Sequence, residues 1–494
     1  MYFFRPSVAI CPCIFTFAPP IEQRFLRCQP FAGTFVFLST ENMASTIKLR
    51  KGFDIKLQGQ ANQGNCERVH PQTVAINPPA FRYSKFKLLV EVGTEVQAGS
   101  PLLCDKKHPS VVVASPVSGE VVAVHRGDRR VLNEIVVLAD KQQNYVDFGR
   151  ITPETMDSTA LRAAVQQAGL WPLIRRRPFD CIALPEENPV GIFVSAFDSA
   201  PLAPSVDFLV AGHEQEFQAG LNLLARLSPA PVHLSVHASQ TRSTALLNAQ
   251  HVQLHRFEGV HPAGNVGIQM HHIRPINKGE SAWYVHPADV VVLGRLVLTG
   301  RCDLRRRIAI TGSELKNPRY VDAVAGASIQ SLTGGEFNGN LAVRIISGNV
   351  LTGNKVAADG HLGIYDHQLT VIPEGKDLEF LGWLLPGYPR PDISRTFLSG
   401  WLKDRIYKVN TNTHGEERAF VVTGQYEQVL PMDIHPTFLL KSILYQDIEE
   451  MEQLGIYEVS EEDLALCEFV CTSKIPVQKI IREGLDLMYE DAMA

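Results

Sequence analysis

The stretch that most constrains this chain runs from Phe86 to Asp140, where short Val-rich runs are cut at close intervals by Gly93, Gly99, Gly119 and Gly127. Alternation with a period of two places successive side chains on opposite faces, and glycine supplies the turn backbone between runs. The stretch therefore reads as a small all-β body of short strands, with the remaining sequence arranged as further domains. At 494 residues, and with about 100–200 residues per domain, the chain has room for about three or four such units.

Inside this stretch the ladder Val96, Gly99, Leu102, followed by Ser115-Pro116-Val117-Ser118-Gly119, resembles the barrel-sandwich hybrid of biotinyl and lipoyl carrier domains. In those domains a Lys at the hairpin tip bears a swinging arm. The tip here, Cys104-Asp105-Lys106-Lys107-His108-Pro109, is longer, holds a proline and lacks the Met-Lys-Met of biotin carriers. A solvated charged turn is expected, with no covalent cofactor on Lys106 or Lys107. Upstream, Ile47, Leu49, Phe53, Ile55 and Leu57 are expected to form an edge strand feeding the sandwich, and Thr73 to Ile76 a second strand, closed by the turn Asn77-Pro78-Pro79.

The formal net charge is −5 with both signs scattered, so the basic stripe that nucleic-acid binding needs is missing. Nine cysteines without regular spacing favour a reducing compartment over a disulfide framework. The apolar run Ser7 to Ile21 is broken by Pro12, Pro19 and Pro20 and is shorter than the roughly 20 residues of a membrane span, so a membrane role would rest on partners. Residues 1–42 are rich in Phe, with Cys11, Cys13 and Cys28 and the acids Glu22 and Glu41. They read as a doubtful, disordered extension, with Met43 as the alternative start.

Next comes an α/β pattern. Leu161, Ala164, Val165 and Ala168 recur at helical spacing after the cap candidates Asp157-Ser158-Thr159, with Gly169 as the stop. A strand at Gly191 to Ala196, a helix at His213 to Leu227, a strand at Val232 to Val236, a helix near Thr241 to Asn248 and a strand at Val252 to Phe257 then predict a parallel, Rossmann-like open sheet. Neither the G-x-G-x-x-G nor the G-x-x-x-x-G-K-[ST] phosphate cradle occurs, so no nucleotide site is signalled. The run Thr333 to Gly339 reads as a loop between strands. The cationic and aromatic run Gly169 to Phe179 suits a quinone headgroup chemically, because Arg can donate to a carbonyl and an aromatic ring can stack on a flat one; a surface loop or subunit contact is the alternative. Candidate quinone contacts are Trp171, Arg175, Arg177, Phe179, His261 and His272. No catalytic or metal-ligating set is read, since His261, His271 and His272 lack the Cys or acid spacing of a zinc site.

Taken together, K-x-R-K-G-F-D from Lys48, D-K-K-H-P from Asp105, S-P-V-S-G, G-L-W-P-L-I-R-R-R-P-F from Gly169, H-P-A-G from His261, R-I-I-S-G-N-V-L-T-G from Arg344 and A-L-C-E-F-V-C from Ala465 resemble the A-subunit family of the bacterial Na+-translocating NADH:quinone reductases. The likeness runs from about Ile47 to the C-terminus. It implies a peripheral subunit, without a transmembrane helix, on the cytoplasmic side of the bacterial inner membrane. The implied parent is a multi-subunit respiratory complex that passes electrons from NADH to ubiquinone and exports Na+. Ubiquinone is implied as substrate, and NADH, FAD, FMN and Fe–S centres belong to partner subunits, especially around a membrane subunit. A fold similar to the NADH-binding subunit of complex I and the Rnf complex C subunit is implied, with the cofactor motifs lost. A purely architectural adapter is the alternative.

On that frame the chain is expected to be multi-domain α/β. A doubtful extension at 1–42 precedes a barrel-sandwich hybrid at 43–147 and a Rossmann-like domain at 148–298. A β-grasp, SLBB-like domain follows at 299–378, with strands at Arg344 to Val350 and Leu362 to Val371. A mixed segment around Leu381 to Gly387 then leads into a helical end, the last domain covering 379–494. There Ser460 to Asp463 reads as a capping box, and Val477, Ile480, Ile481, Leu485 and Met488 mark an amphipathic last helix. Cys467 and Cys471 give only C-x3-C, short of the four thiolates of a cluster site, and read as structural.

Overall fold

The computed structural model describes residues 46–338, 342–375, 381, 387, 390–394, 397–402 and 404–493. The expectations for 1–42, for Gly339 and for most of Leu381 to Gly387 fall outside the described residues. The Val-rich stretch forms two small antiparallel sheets. One orders Thr73–Ile76, Leu132–Ala139, Gly119–Arg126 and Glu95–Val96, and the other Phe86–Leu88, Pro101–Asp105 and Val112–Ala114. Their inner faces bury Val74, Ile76, Leu102, Leu103, Val113, Val121 and Ile135, which is the alternation read from the sequence. Gly119 is required where it stands, since a Cβ there would lie 1.8 Å from the Leu138 carbonyl oxygen. Lys106 and Lys107 are exposed at the tip, where Asp105 Oδ1 accepts the backbone N–H groups of Lys107 and His108 at 2.6 and 3.0 Å.

The segment expected to feed the sandwich does something else. Thr46–Lys48 pairs in parallel with Gln253–Glu258, Ile47 opposite Phe257, and becomes the edge of a seven-stranded sheet. Phe257 is fully buried, so the apolar alternation at Ile47 and Leu49 matches a parallel partner more than two hundred residues away, which no local pattern announces. From that edge the order continues through Val232–His237, Ile192–Ser195, Ala282–Tyr284, Arg175–Arg177 and Cys181–Ile182. The pairs up to Ala282–Tyr284 are parallel, and the last two strands are antiparallel. The expected helices appear as Ser158–Gln167, with Asp157 accepting from the Ala160 N–H, and Glu214–Leu227; the one near Thr241 shortens to Thr244–Leu247. From Ile192–Ser195 the next strands in the chain lie on one side and Ala282–Tyr284 on the other. A crevice opens at such a reversal, beyond the carboxyl ends of the strands.

A six-stranded sheet orders Asn354–Val356, Val343–Ser347, Gln368–Pro373, Arg305–Thr311, Arg319–Val324 and Asn62–Arg68. The strands expected at Arg344 and Leu362 are present, the second only from Gln368. Arg305–Thr311 was not anticipated because it opens with three arginines. Arg306 is nevertheless buried, bonded to Asp289 at 2.6 Å. Ile329–Thr333 is a short helix capped by Gly334 at φ +63°. The C-terminal helices Pro436–Tyr445, Glu461–Val470 and Val477–Met493 share a core with Phe179 and Phe257. Among the described residues no helix is long and apolar enough to cross a membrane.

Candidate functional site

A cleft of about 520 Å³ lies at the crevice of the parallel sheet, within the range usual for small-molecule sites. Ser195 to Asp198 and Tyr284 to His286 reach it from two strand ends, and His261 and Asn265 from the loop after Glu258. Gly348 to Asn354 and Tyr365 to Gln368 of the six-stranded sheet form another wall, and Ser460 to Glu462 with Gln478 and Arg482, at the starts of two C-terminal helices, close it.

One wall is a charged and aromatic cluster. Arg175 bonds Asp180 at 2.6 Å and lies over the rings of Tyr365 and Tyr284 at 4.5 and 5.2 Å. Tyr284 donates its hydroxyl to the other Asp180 oxygen. Burial pushes the Asp180 carboxyl up, but Arg175, Arg177 and Arg82 outweigh it and hold the group well below the usual carboxylate range. Arg177 is 1% exposed and reaches Glu462 at 2.6 Å and Asp463 at 3.0 Å. Gly267 leaves the space that Asp463 fills, since a Cβ there would stand 2.3 Å from its Oδ2. Asp463 also accepts the Ser460 N–H at 3.0 Å, which is half of the predicted capping box. With one guanidinium between two carboxyls, burial pushes Glu462 up to about 7, although 42% of its side chain stays open to the cleft.

The opposite wall is less saturated. His261 is 3% exposed, its Nδ1 is 3.1 Å from Ser199 Oγ and its backbone N–H donates to Asp54 at 2.8 Å. Burial pushes the imidazole down to about 4, so it is neutral at ordinary pH. Its Nε2 has no hydrogen-bond partner. Asp198 accepts the Ala200 N–H at 2.8 Å and forms no ion pair among the described residues; desolvation at its place in the cleft raises its carboxyl. This wall thus offers a neutral ring nitrogen and a carboxylate, and the opposite wall a guanidinium stacked on two tyrosines, polar groups able to bond a ligand that bears oxygens.

Of the six residues singled out in the sequence, Arg175 and His261 line the cleft. Trp171 is fully buried, donates Nε1–H to the Ala183 carbonyl at 2.8 Å and packs edge-on against Trp283. Arg177 is sealed in its ion pairs. Phe179 packs among Tyr83, Tyr457 and Tyr489. His272 bonds the Pro431 carbonyl at 2.8 Å and is not part of the cleft lining. Sequence reasoning passed over Asp198, Tyr284, His286, Tyr365 and His367. The available signal was position, since the first three stand at or just past predicted or observed strand ends. Cys467 and Cys471 are buried free thiols, and Tyr426 donates its hydroxyl to Cys471 Sγ at 2.9 Å.

Comparison with known proteins is consistent along the chain. The NqrA N-terminal barrel-sandwich hybrid domain matches residues 47–140, the NqrA second alpha/beta domain residues 156–302 and the NQRA C-terminal domain residues 307–358. The chain is 35% identical over 449 residues to the NqrA-type chain of the Na(+)-translocating NADH-quinone reductase of Neisseria meningitidis serogroup B, covering 90% of this chain and 100% of that protein. The corresponding proteins from Serratia proteamaculans and Vibrio anguillarum are 36% and 35% identical, each covering 89% of this chain and 98% of theirs.

Proposed function

This chain belongs to the NqrA family, the A subunits of Na+-translocating NADH-quinone reductase, and from that premise we propose that it is a peripheral, quinone-associated subunit of such a complex on the cytoplasmic side of the bacterial inner membrane. Electron passage from NADH to quinone requires flavin and iron centres, and this reading assigns them to partner subunits. It divides the chain into functional units at 43–147, 148–298, 299–378 and 379–494, with the cleft where the last three meet. The observation that carries the quinone assignment is His261, a neutral, buried imidazole whose Nε2 has no hydrogen-bond partner, on a cleft lining shared with Tyr284 and Tyr365. A neutral imidazole nitrogen can donate to a quinone carbonyl or accept from a quinol hydroxyl, according to its tautomer, and Arg175, stacked on the two tyrosines, supplies a cation on the same lining. The exposed Phe438, Leu444 and Tyr445 of the helix Pro436–Tyr445 support docking of the C-terminal helices on a membrane subunit.

The test is retention of a radiolabelled short-chain ubiquinone by the purified full chain. Near-stoichiometric retention, weakened about tenfold or more in His261→Ala by loss of a buried hydrogen bond, is expected. Retention by neither protein would favour the architectural adapter, with quinone held wholly by a partner.

A further inference from the structure

We propose that His286, Asp289 and His367 form a binding site for a divalent transition-metal cation such as Zn2+, opening into the cleft. The three residues come from remote parts of the chain. His286 caps the helix Pro287–Thr299, Asp289 lies in its first turn, and His367 precedes the strand Gln368–Pro373. One potential ligand atom from each lies within 4.8 Å of the other two, close enough for a single ion to gather them once one ring turns.

The donors are in the state an ion needs. A neutral imidazole carries one in-plane lone pair for a metal ion, and a carboxylate oxygen supplies a third donor. His367 is 7% exposed; its Nε2 stands 3.5 Å from Asp289 Oδ2, and its Nδ1 has no hydrogen-bond partner. A buried ring nitrogen left without a hydrogen bond is unusual in a folded protein, and a ligand would satisfy it. His286 uses Nδ1 to accept the Ala288 N–H at 3.2 Å, which leaves Nε2 free. Asp289 gives one oxygen to Arg306 at 2.6 Å, leaving Oδ2 toward the rings. A carboxylate oriented by a second partner in this way is the usual form of a metal-ligating acid.

Two imidazoles and a carboxylate are the donor set of open zinc sites. The rings now lie stacked, 3.6 Å apart and within 12° of parallel, so their in-plane lone pairs run side by side. Binding therefore turns one ring, and His286, only half-buried at the cleft wall, has the room. The remaining coordination positions are left to the cleft, where Asp366 acts on His367 against the charge of Arg306 and offsets part of what an ion adds.

The experiment is titration of the metal-free full chain with Co2+, read by visible d–d absorption, followed by Zn2+ competition. The chains compared are the unsubstituted protein, His286→Gln, His367→Gln and the exposed control His70→Gln. The expected result is one Co2+ per chain, displaced by Zn2+, held at least about tenfold less tightly in either cleft variant and unchanged in the control. Because His367 is buried, near-ultraviolet circular dichroism checks each fold, and if His367→Gln is perturbed, His286→Gln decides. Absence of a Co2+ band, or binding indifferent to His286→Gln, would overturn the proposal.

Discussion

Arg177 shows what a single residue decides here. Its sequence context, three arginines between prolines, reads as a solvated or ligand-facing run, yet the guanidinium is sealed and spent on Glu462 and Asp463. Local sequence cannot reveal this, because the partners are almost three hundred residues away. Asp463 is 1% exposed, so Arg177→Ala strands a buried charge and is expected to cost about 3–5 kcal/mol in urea unfolding; a loss below about 1 kcal/mol would mean the pairs do not hold the C-terminal helices. Glu462 adds a pH dependence. Folded, it keeps its proton up to about pH 7, whereas an unfolded glutamate releases it near pH 4.3. Between those values the folded state binds more protons, so this group's contribution is full below about pH 4.3 and drains away as pH rises through 7. Opening to the cleft moderates the effect. The melting temperature of Glu462→Gln relative to the unsubstituted protein should therefore rise from pH 5 to pH 8, and a falling difference would contradict the reading.

At the scale of elements, the helices Glu214–Leu227 and Pro287–Thr299 cross through paired glycines. A Cβ on Gly294 would stand 1.6 Å from the Glu216 carbonyl oxygen, and one on Gly220 2.1 Å from that of Val290. Alanine is worth about 1 kcal/mol over glycine in an exposed helix, but overpacking a backbone contact costs about 1–3 kcal/mol. Gly294→Ala should accordingly lower stability in denaturant unfolding, and a stabilised variant would show that the helices separate freely. Periodicity made most elements of this sheet legible, including the capped helix at Ser158 and the strands at Ile192, Val232 and Gln253. It found an edge strand at Ile47 but not its partner or its short length, and it missed Asn62–Arg68, which pairs with a distant strand, and Arg305–Thr311, where buried ion pairs hide a core strand behind charged residues.

For the whole molecule, family membership was legible because long motifs fall in order along the chain, whereas the cleft was not. Arg175 and His261 were found because each lies in a distinctive run, but the tyrosines and histidines that complete the cleft stand singly and meet only when the two large sheets and the C-terminal helices converge. The central claim is that a quinone headgroup associates with this convergence. It is tested most directly by photolabelling the assembled complex with an azido-ubiquinone and mapping the labelled peptides. The account predicts label on this chain within the cleft segments 195–200, 261–266, 284–286 or 365–368, diminished by His261→Ala. Label confined to a membrane subunit, with none on those segments, would contradict it.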